Sequence, residues 1–353
     1  MPIPEKMRAA VYYGPHDLRV EEYPVPRIGS DEALLRVLSS GICGTDLRIY
    51  HGAHHKYPQG TIRIPGHEVI GEIVAIGDDV EEVEIGQRIF VAPNMGCGHC
   101  RQCMSGNNNL CVDSQDFGIT IDGAFAEFMR IPTAAILQGN LIPISEEVDP
   151  AVGTMIEPLA CVVRGQRALN IQPGESVLVI GAGPIGVMHT LFASLSGASR
   201  VIVSEMIPER AAQAREFGAD MIVIPSEEDL AAIIARETDG EGADAIIVAA
   251  PAKQAQETAL ELAAYKGRIN YFGGLPKDQP IINFNSNLVH YKELLITGTT
   301  GCSTDDCRQA AAIVSSGRIN LSKVVGGCYP LSETKEAFAT VESGKALKVV
   351  LQP

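Results

Sequence analysis

Apolar and polar positions alternate in short blocks over the first forty residues. Arg8–Tyr13, Leu18–Glu22 and Ala33–Ser39 read as strands, with Pro24 and Pro26 keeping the link between the last two extended and out of any sheet interior. A short helix at Asp46–Tyr50, the strand-like run GEIVAIG and a strand at Phe125–Ile131 follow, then a helix running through about Leu169. From Ile171 the texture changes. Apolar, β-branched runs at Ser176–Ile180, Arg200–Ser204, Met221–Ile224, Ala245–Ala249, Gly267–Tyr271 and Leu294–Thr297 predict buried strands. Helical stretches at Ile185–Ser196, Pro208–Phe217, Leu230–Thr238 and Lys253–Ala263 separate them, the succession of a doubly wound parallel sheet. A helix near Asp305–Ser315 and a closing strand, Leu347–Leu351, complete the chain.

The stretch Val177–Glu205 organises the second half. Its strand runs into Gly181, Gly183 and Gly186, in G-x-G-x-x-G spacing, and then into a helix. Such glycines give a tight turn, close approach of backbone to a pyrophosphate and close packing of helix on strand, while the helix N-terminus faces the phosphates. Glu205, 19 residues after Gly186, stands where an acid accepts from both ribose hydroxyls and repels a 2′-phosphate. Glycines at an ordinary strand–helix turn are the plainer explanation. Strand, turn, helix, second strand and acid together predict a dinucleotide, NAD rather than NADP.

Length and composition bound the rest. A chain of 353 residues with 46% hydrophobic and 20% charged residues has room for two cores. A net charge of −15 argues against nucleic acid or an anionic membrane as partner. The N-terminal stretch lacks the apolar core of a signal peptide, and Val177–Leu195, the one segment near membrane-span length, is broken by three glycines, Pro184 and His189. The expectation is a cytoplasmic protein.

Nine cysteines then need a reason other than disulfides. Cys97, Cys100, Cys103 and Cys111 lie in C-x2-C-x2-C-x7-C spacing, within a Gly- and Asn-rich lobe at about 94–112. Four thiolates close a tetrahedral shell with no open position, as structural zinc requires; paired disulfides or an iron–sulfur cluster are the alternatives. Cys43, on a glycine-flanked turn entering a helix, suits a nucleophile or a metal ligand, although such a cysteine alone is more often a small buried residue. The adjacent pair His67-Glu68 before a buried strand suits coordination. Glu157, in an apolar context, needs a partner or a metal.

Cys-Gly-Thr-Asp, Gly-His-Glu, the four-cysteine lobe, Glu-Pro-Leu and Gly-Ala-Gly-Pro-Ile-Gly occur in this order. Together they resemble the zinc-dependent medium-chain dehydrogenases over essentially the whole chain, and within them the sorbitol (polyol) branch, with L-threonine and butanediol dehydrogenases as near relatives. The resemblance implies an α/β protein in which a partly open, GroES-like β-barrel forms a split catalytic domain at 1–157 and 298–353. A Rossmann domain at 158–297 is inserted between its parts. It implies one NAD and two zinc ions per chain, the structural one in the cysteine lobe and a catalytic one on Cys43, His67, Glu68 and Glu157. Cys161, one helical turn beyond Glu157, is either a substitute ligand or a buried structural thiol. One thiolate, one carboxylate and a neutral imidazole balance Zn²⁺ and leave a position for substrate.

By the same carry-over, Thr45 takes the substrate proton, a helix N-cap being its simpler role. Ile185, Glu205 and Arg210 flank the adenosine half of the cofactor, whose pyrophosphate falls to Gly181, Gly183 and Gly186, and Phe272, Gly273, Gly274, Gly298, Thr299 and Thr300 lie along its nicotinamide half. Two departures stand out. Arg48 occupies the position of a relay histidine and cannot shuttle protons, so His51, His54 or His55 substitutes or the proton leaves by the ribose. An arginine there also suits an anionic substrate such as a sugar phosphate, or is merely a surface residue. Gly301-Cys302 stands where sorbitol-type enzymes carry Arg-Tyr. His99 falls in the zinc lobe; His16, His189 and His290 read as structural. The expected reaction is oxidation of a secondary alcohol of a polyol, sugar alcohol or sugar phosphate to a ketone by a homodimer or homotetramer. L-threonine or 2,3-butanediol is the near alternative, and a non-catalytic NAD-binding protein, holding the lobe zinc alone, the distant one.

Overall fold

A computed structural model describes residues 3–353. They form two compact units, one running to Ala160 and resuming at Cys302–Pro353, the other spanning Cys161–Gly301. The first break falls just past the expected 157/158, within the helix Ile156–Leu169. The second falls just past 297/298.

The first unit is built on a seven-stranded sheet. Val325–Pro330 and Lys348–Gln352 pair in parallel at one edge; Ala33–Gly41, Glu68–Ile76, Arg88–Val91 and Leu141–Pro143 continue antiparallel. Phe128–Ile131 also pairs with Ala33–Gly41, so the sheet branches there and curls towards a barrel. Leu35, Val69, Ile73, Ile89, Val91 and Met129 fill one apolar cluster. A hairpin, Lys6–Gly14 with Asp17–Pro24, contributes Ala10, Tyr12 and Leu18 to a second, which also takes Phe125, Phe338 and Leu351. That cluster ties the C-terminal return to the N-terminal strands.

The second unit holds a six-stranded, wholly parallel sheet. Its order is Met221–Val223, Arg200–Ser204, Ser176–Ile180, Ala243–Val248, Ala263–Tyr271, Leu295–Gly298, the doubly wound order that reverses beside Ser176–Ile180. Every residue of Ser176–Ile180 is buried, as a strand covered by helices on both faces must be. The helix Ser286–Lys292 has no counterpart among the sequence expectations. Among the described residues no helix is long and apolar enough to cross a membrane.

Candidate active site and metal pockets

The cysteine lobe is held by its own backbone. The sulfurs of Cys97, Cys100, Cys103 and Cys111 lie within 4.8 Å of one another, and all are free thiols. Main-chain N–H groups point at them: Cys100 donates to the Cys97 sulfur at 3.3 Å, Cys103 to that of Cys100 at 3.5 Å, and Cys97 to that of Cys111 at 3.3 Å. The N–H groups of His99 and Cys100 hold the Cys97 thiol below its ordinary value, and that of Cys103 draws Cys100 down to about 7. Burial instead pushes Cys103 up to about 12. Donor type, number and spacing fit a closed tetrahedral zinc. His99 turns Nδ1 to the Cys97 carbonyl oxygen at 2.9 Å.

The second pocket is assembled from distant segments. The strand Ala33–Gly41 ends in a turn that places Cys43 at the N-cap of the helix Gly44–Tyr50. Thr45 therefore lies inside the first turn instead of capping it. Asp46, almost fully buried, accepts the Cys43 backbone N–H on Oδ2 at 2.8 Å. Glu68 opens the strand Glu68–Ile76 directly opposite Gly41. A Cβ at residue 41 would overlap Glu68 Oε2, so glycine there is what admits the carboxylate. Cys43, His67 and Glu68 each bring one donor atom within 4.8 Å of the others.

The surrounding charges are fixed by side chains. His67 Nδ1 faces Asp46 Oδ1 at 3.5 Å, which leaves Nε2 for the Cys43 side. Lys348 Nζ donates to Glu68 Oε1 at 2.5 Å, both residues being buried. Burial disfavours a charged imidazole, yet Asp46 and Cys43 outweigh it and hold His67 well above its ordinary value. Burial raises the Glu68 carboxyl, and Glu157 adds to this against the pull of Lys348. Lys348 is raised despite its burial, chiefly by Glu68. Glu68 Oε2 is buried without a hydrogen-bond partner. An acidic, oxygen-, nitrogen- and sulfur-lined pocket with such an orphaned carboxylate atom fits a zinc cation, which takes the place of the protons it displaces.

Thr45 and Arg48 adjoin that pocket on the same helix. Arg48 Nη2 donates to Thr45 Oγ1 at 2.8 Å, and Arg48 is exposed. The proposed substitutes for a relay histidine are otherwise engaged. His51 pairs with Glu342 at 2.8 Å and faces His16 at 3.4 Å, while His54 stacks on His55. Glu157 opens the helix Ile156–Leu169, and its carboxylate stands with Cys302, Oε1 to Sγ at 3.6 Å, outside the group of Cys43, His67 and Glu68.

In the second unit the expected cofactor residues gather at the carboxyl ends of the parallel strands. Gly181, at φ +103°, follows Ser176–Ile180, and a Cβ on Gly186 would strike the Gly181 carbonyl. Gly183 caps the helix Pro184–Leu195, which carries Ile185 and Gly186 in its first turn. Glu205 follows the neighbouring strand and accepts the N–H of Ala182 at 2.7 Å and that of Ile207 at 2.9 Å. Its carboxylate is thereby tied to the glycine turn. Arg210 lies on the helix Pro208–Ala214; Phe272, Gly273 and Gly274 follow Ala263–Tyr271; Gly298 ends the strand Leu295–Gly298, and Thr299 and Thr300 follow it. This is the edge at which doubly wound sheets bind dinucleotides.

Comparison with known proteins agrees with both halves. Residues 29–143 match the alcohol dehydrogenase GroES-like domain and residues 184–316 the zinc-binding dehydrogenase domain. The L-threonine 3-dehydrogenase of Pyrococcus horikoshii is 36% identical over 98% of each chain. The chain belongs to the zinc-dependent medium-chain dehydrogenases. Within this family, the L-threonine 3-dehydrogenase of Bacillus subtilis is 32% identical over 94% of each chain. Among solved structures, a zinc-binding dehydrogenase of Sinorhizobium meliloti bound to NADP superposes with a TM-score of 0.91 at 30% identity, covering 99% of this chain and 100% of that one. The chain is thus an oxidoreductase of the zinc-dependent alcohol dehydrogenase type, and its named relatives favour the threonine alternative over the polyol branch.

Two residues of this dehydrogenase pocket escaped the sequence reading. Asp46 ends the Cys-Gly-Thr-Asp motif, but nothing in its spacing shows that it faces His67. Lys348 sits inside the apolar run Leu347–Leu351, where a lysine in a strand at an inward position was the available signal.

Proposed function

We propose that this dehydrogenase oxidises the secondary hydroxyl of an L-threonine-type substrate, an alcohol bearing a carboxylate, to a ketone and reduces NAD⁺. The observation that carries this reading is the identity of 36% with an L-threonine 3-dehydrogenase across 98% of both chains. The missing Arg-Tyr pair at Gly301-Cys302 weighs against a sorbitol-type substrate.

When bound, zinc supplies a Lewis acid that favours the deprotonated alcohol. Cys43, His67 and Glu68 hold it in this reading, with Glu157 nearby; Asp46 fixes the imidazole, and Lys348 balances the carboxylate of Glu68. Thr45 Oγ1 receives the alcohol proton. Arg48, donating to that oxygen, sets its free lone pair without carrying the proton, which leaves by the cofactor ribose or water. In this reading the remaining guanidinium N–H groups take the substrate carboxylate in a paired contact. Glu205 supports NAD over NADP, since a 2′-phosphate would meet its negative charge. Assembly as a homodimer or homotetramer belongs to the same proposal.

NAD⁺ reduction with L-threonine, 2,3-butanediol, sugar alcohols and their phosphates tests it. Turnover of L-threonine should vanish on chelation and in Cys43→Ser. Arg48→Ala should raise KM for L-threonine about tenfold or more, the scale of one charged contact, and leave KM for 2,3-butanediol little changed, while the loss of its hold on Thr45 lowers kcat for both. Turnover of sugar alcohols or their phosphates with none of L-threonine overturns the substrate assignment and leaves the reaction type standing.

A further inference from the structure

Gly165 interrupts the interior of the helix Ile156–Leu169, where glycine weakens a helix relative to alanine. Its neighbours supply the reason. A Cβ there would stand 3.0 Å from Phe272 Cδ2 and 3.2 Å from His189 Cε1. The missing side chain admits two rings at once. Those rings meet edge to face, with centroids 4.7 Å apart and planes at 85°, a favoured arrangement for an aromatic pair.

His189 is held from its own helix and the next. It is fully buried on Pro184–Leu195, and the Gln166 amide nitrogen donates to its carbonyl oxygen at 2.7 Å. The same nitrogen faces His189 Nδ1 at 3.4 Å; because it can only donate, the imidazole proton sits on Nε2. Burial keeps the ring neutral.

Phe272 is only half-buried. Its N–H and that of Gly273 both donate to the Val248 carbonyl oxygen, at 3.1 and 2.8 Å, and Gln256 Nε2 donates to the Gly273 carbonyl oxygen at 2.9 Å. The turn Phe272–Gly274 is thereby fastened to the end of Ala243–Val248. In the sheet, Arg200–Ser204, which leads to Glu205, lies on one side of Ser176–Ile180 and Ala243–Val248 on the other. A dinucleotide with its adenosine ribose at Glu205 and its pyrophosphate at Gly181–Gly186 extends its nicotinamide half over that far side.

On the dinucleotide reading given above, we propose that His189 is a positioning residue for the cofactor. It holds the Phe272 ring, and with it the turn Phe272–Gly274, where that turn meets the nicotinamide half. Gly165 and Gln166 set the two rings from the neighbouring helix.

Binding of NADH and of ADP-ribose, which lacks the nicotinamide ring, to the zinc-loaded, full-length protein tests this without any alcohol. Calorimetric titration should show His189→Leu weakening NADH about three- to tenfold, the scale of one aromatic contact, with ADP-ribose unchanged. His189→Phe, which keeps an aromatic edge at that position, should bind both ligands as the native protein does. Equal weakening of the two ligands, or of neither, overturns the proposal and leaves His189 a core residue. Should His189→Leu fail to fold, Gly165→Ala decides: alanine is the better helix former, and its Cβ crowds Phe272 directly. The same selective loss of NADH is expected there, and an unselective loss or none refutes the role. A native protein that binds neither ligand removes the dinucleotide reading itself, so the two failures are told apart.

Discussion

The two pockets of the first unit, the cysteine lobe and the Cys43–His67–Glu68 pocket, solve the same problem by opposite means. In the lobe, four donors come from fifteen consecutive residues and main-chain N–H groups stabilise the sulfurs. In the Cys43–His67–Glu68 pocket the donors come from two segments and the stabilising charges from Asp46 and Lys348, the latter 280 residues from its partner. Local backbone can hold a closed metal site in a polar loop. A buried site with an open position needs charges placed by the whole sheet. The histidines show the same contrast. His67 and His189 are both buried, yet His67 is raised by Asp46 and Cys43, while His189, beside Gln166 and Phe272, is pushed down to about 3 by burial alone.

The largest effect should come from the lobe. Cys100→Ala removes a ligand from a segment with little apolar support, where metal-linked folding energy is about 10 kcal/mol or more. Metal analysis should show one equivalent lost, and limited proteolysis should cut within 94–112; an uncut lobe would break the comparison. Next is Lys348→Met, which leaves Glu68 buried without its cation. A loss of about 3–5 kcal/mol is expected in chemical denaturation of the metal-free protein. A loss below about 1 kcal/mol would mean that Glu68 is not held as a charged partner.

Asp46→Asn should weaken metal binding at the Cys43 pocket about 10–100-fold, read by competition with a chromophoric chelator, while the lobe keeps its metal. The smallest effect is a pH slope. His189 stays neutral in the fold and protonates near its ordinary value once unfolded, so its contribution is complete above about pH 6.5 and drains away as pH falls towards 3. Between pH 6.5 and 5 the native protein should lose about 2 kcal/mol relative to His189→Phe. Parallel curves for the two proteins would count against a neutral His189.

How legible each pocket was follows from the same contrast. The gathering of the lobe could be read outright, because its four cysteines are contiguous and their spacing is the signal. Likewise the glycine turn and Glu205 lie within one β-α-β unit. Cys43, His67 and Glu68 became a group only through a family resemblance, since nothing local says that Gly41 stands opposite Glu68. Lys348 was hidden because it reads as a polar interruption of a strand until that strand is seen beside Ala33–Gly41. Ser286–Lys292 is only seven residues long and packs Leu288 and Val289 without fully burying either, too short a stretch for a helical period to show. The short motifs are shared across branches and do not separate polyol from threonine dehydrogenases, whereas the whole-chain identities favour the latter.

The separation of Glu68 from Lys348 also sets a clock. At about 5–20 residues per second, the ribosome makes the lysine roughly 14–56 s after the glutamate, given the 280 residues between them. During that interval the carboxylate has no cation and cannot be buried without loss, so the inner end of the barrel must stay open to water. The lobe cysteines are all made within fifteen residues of one another. Metal can therefore enter the lobe while the chain is still growing, whereas the Cys43–His67–Glu68 pocket closes only after synthesis has passed Lys348.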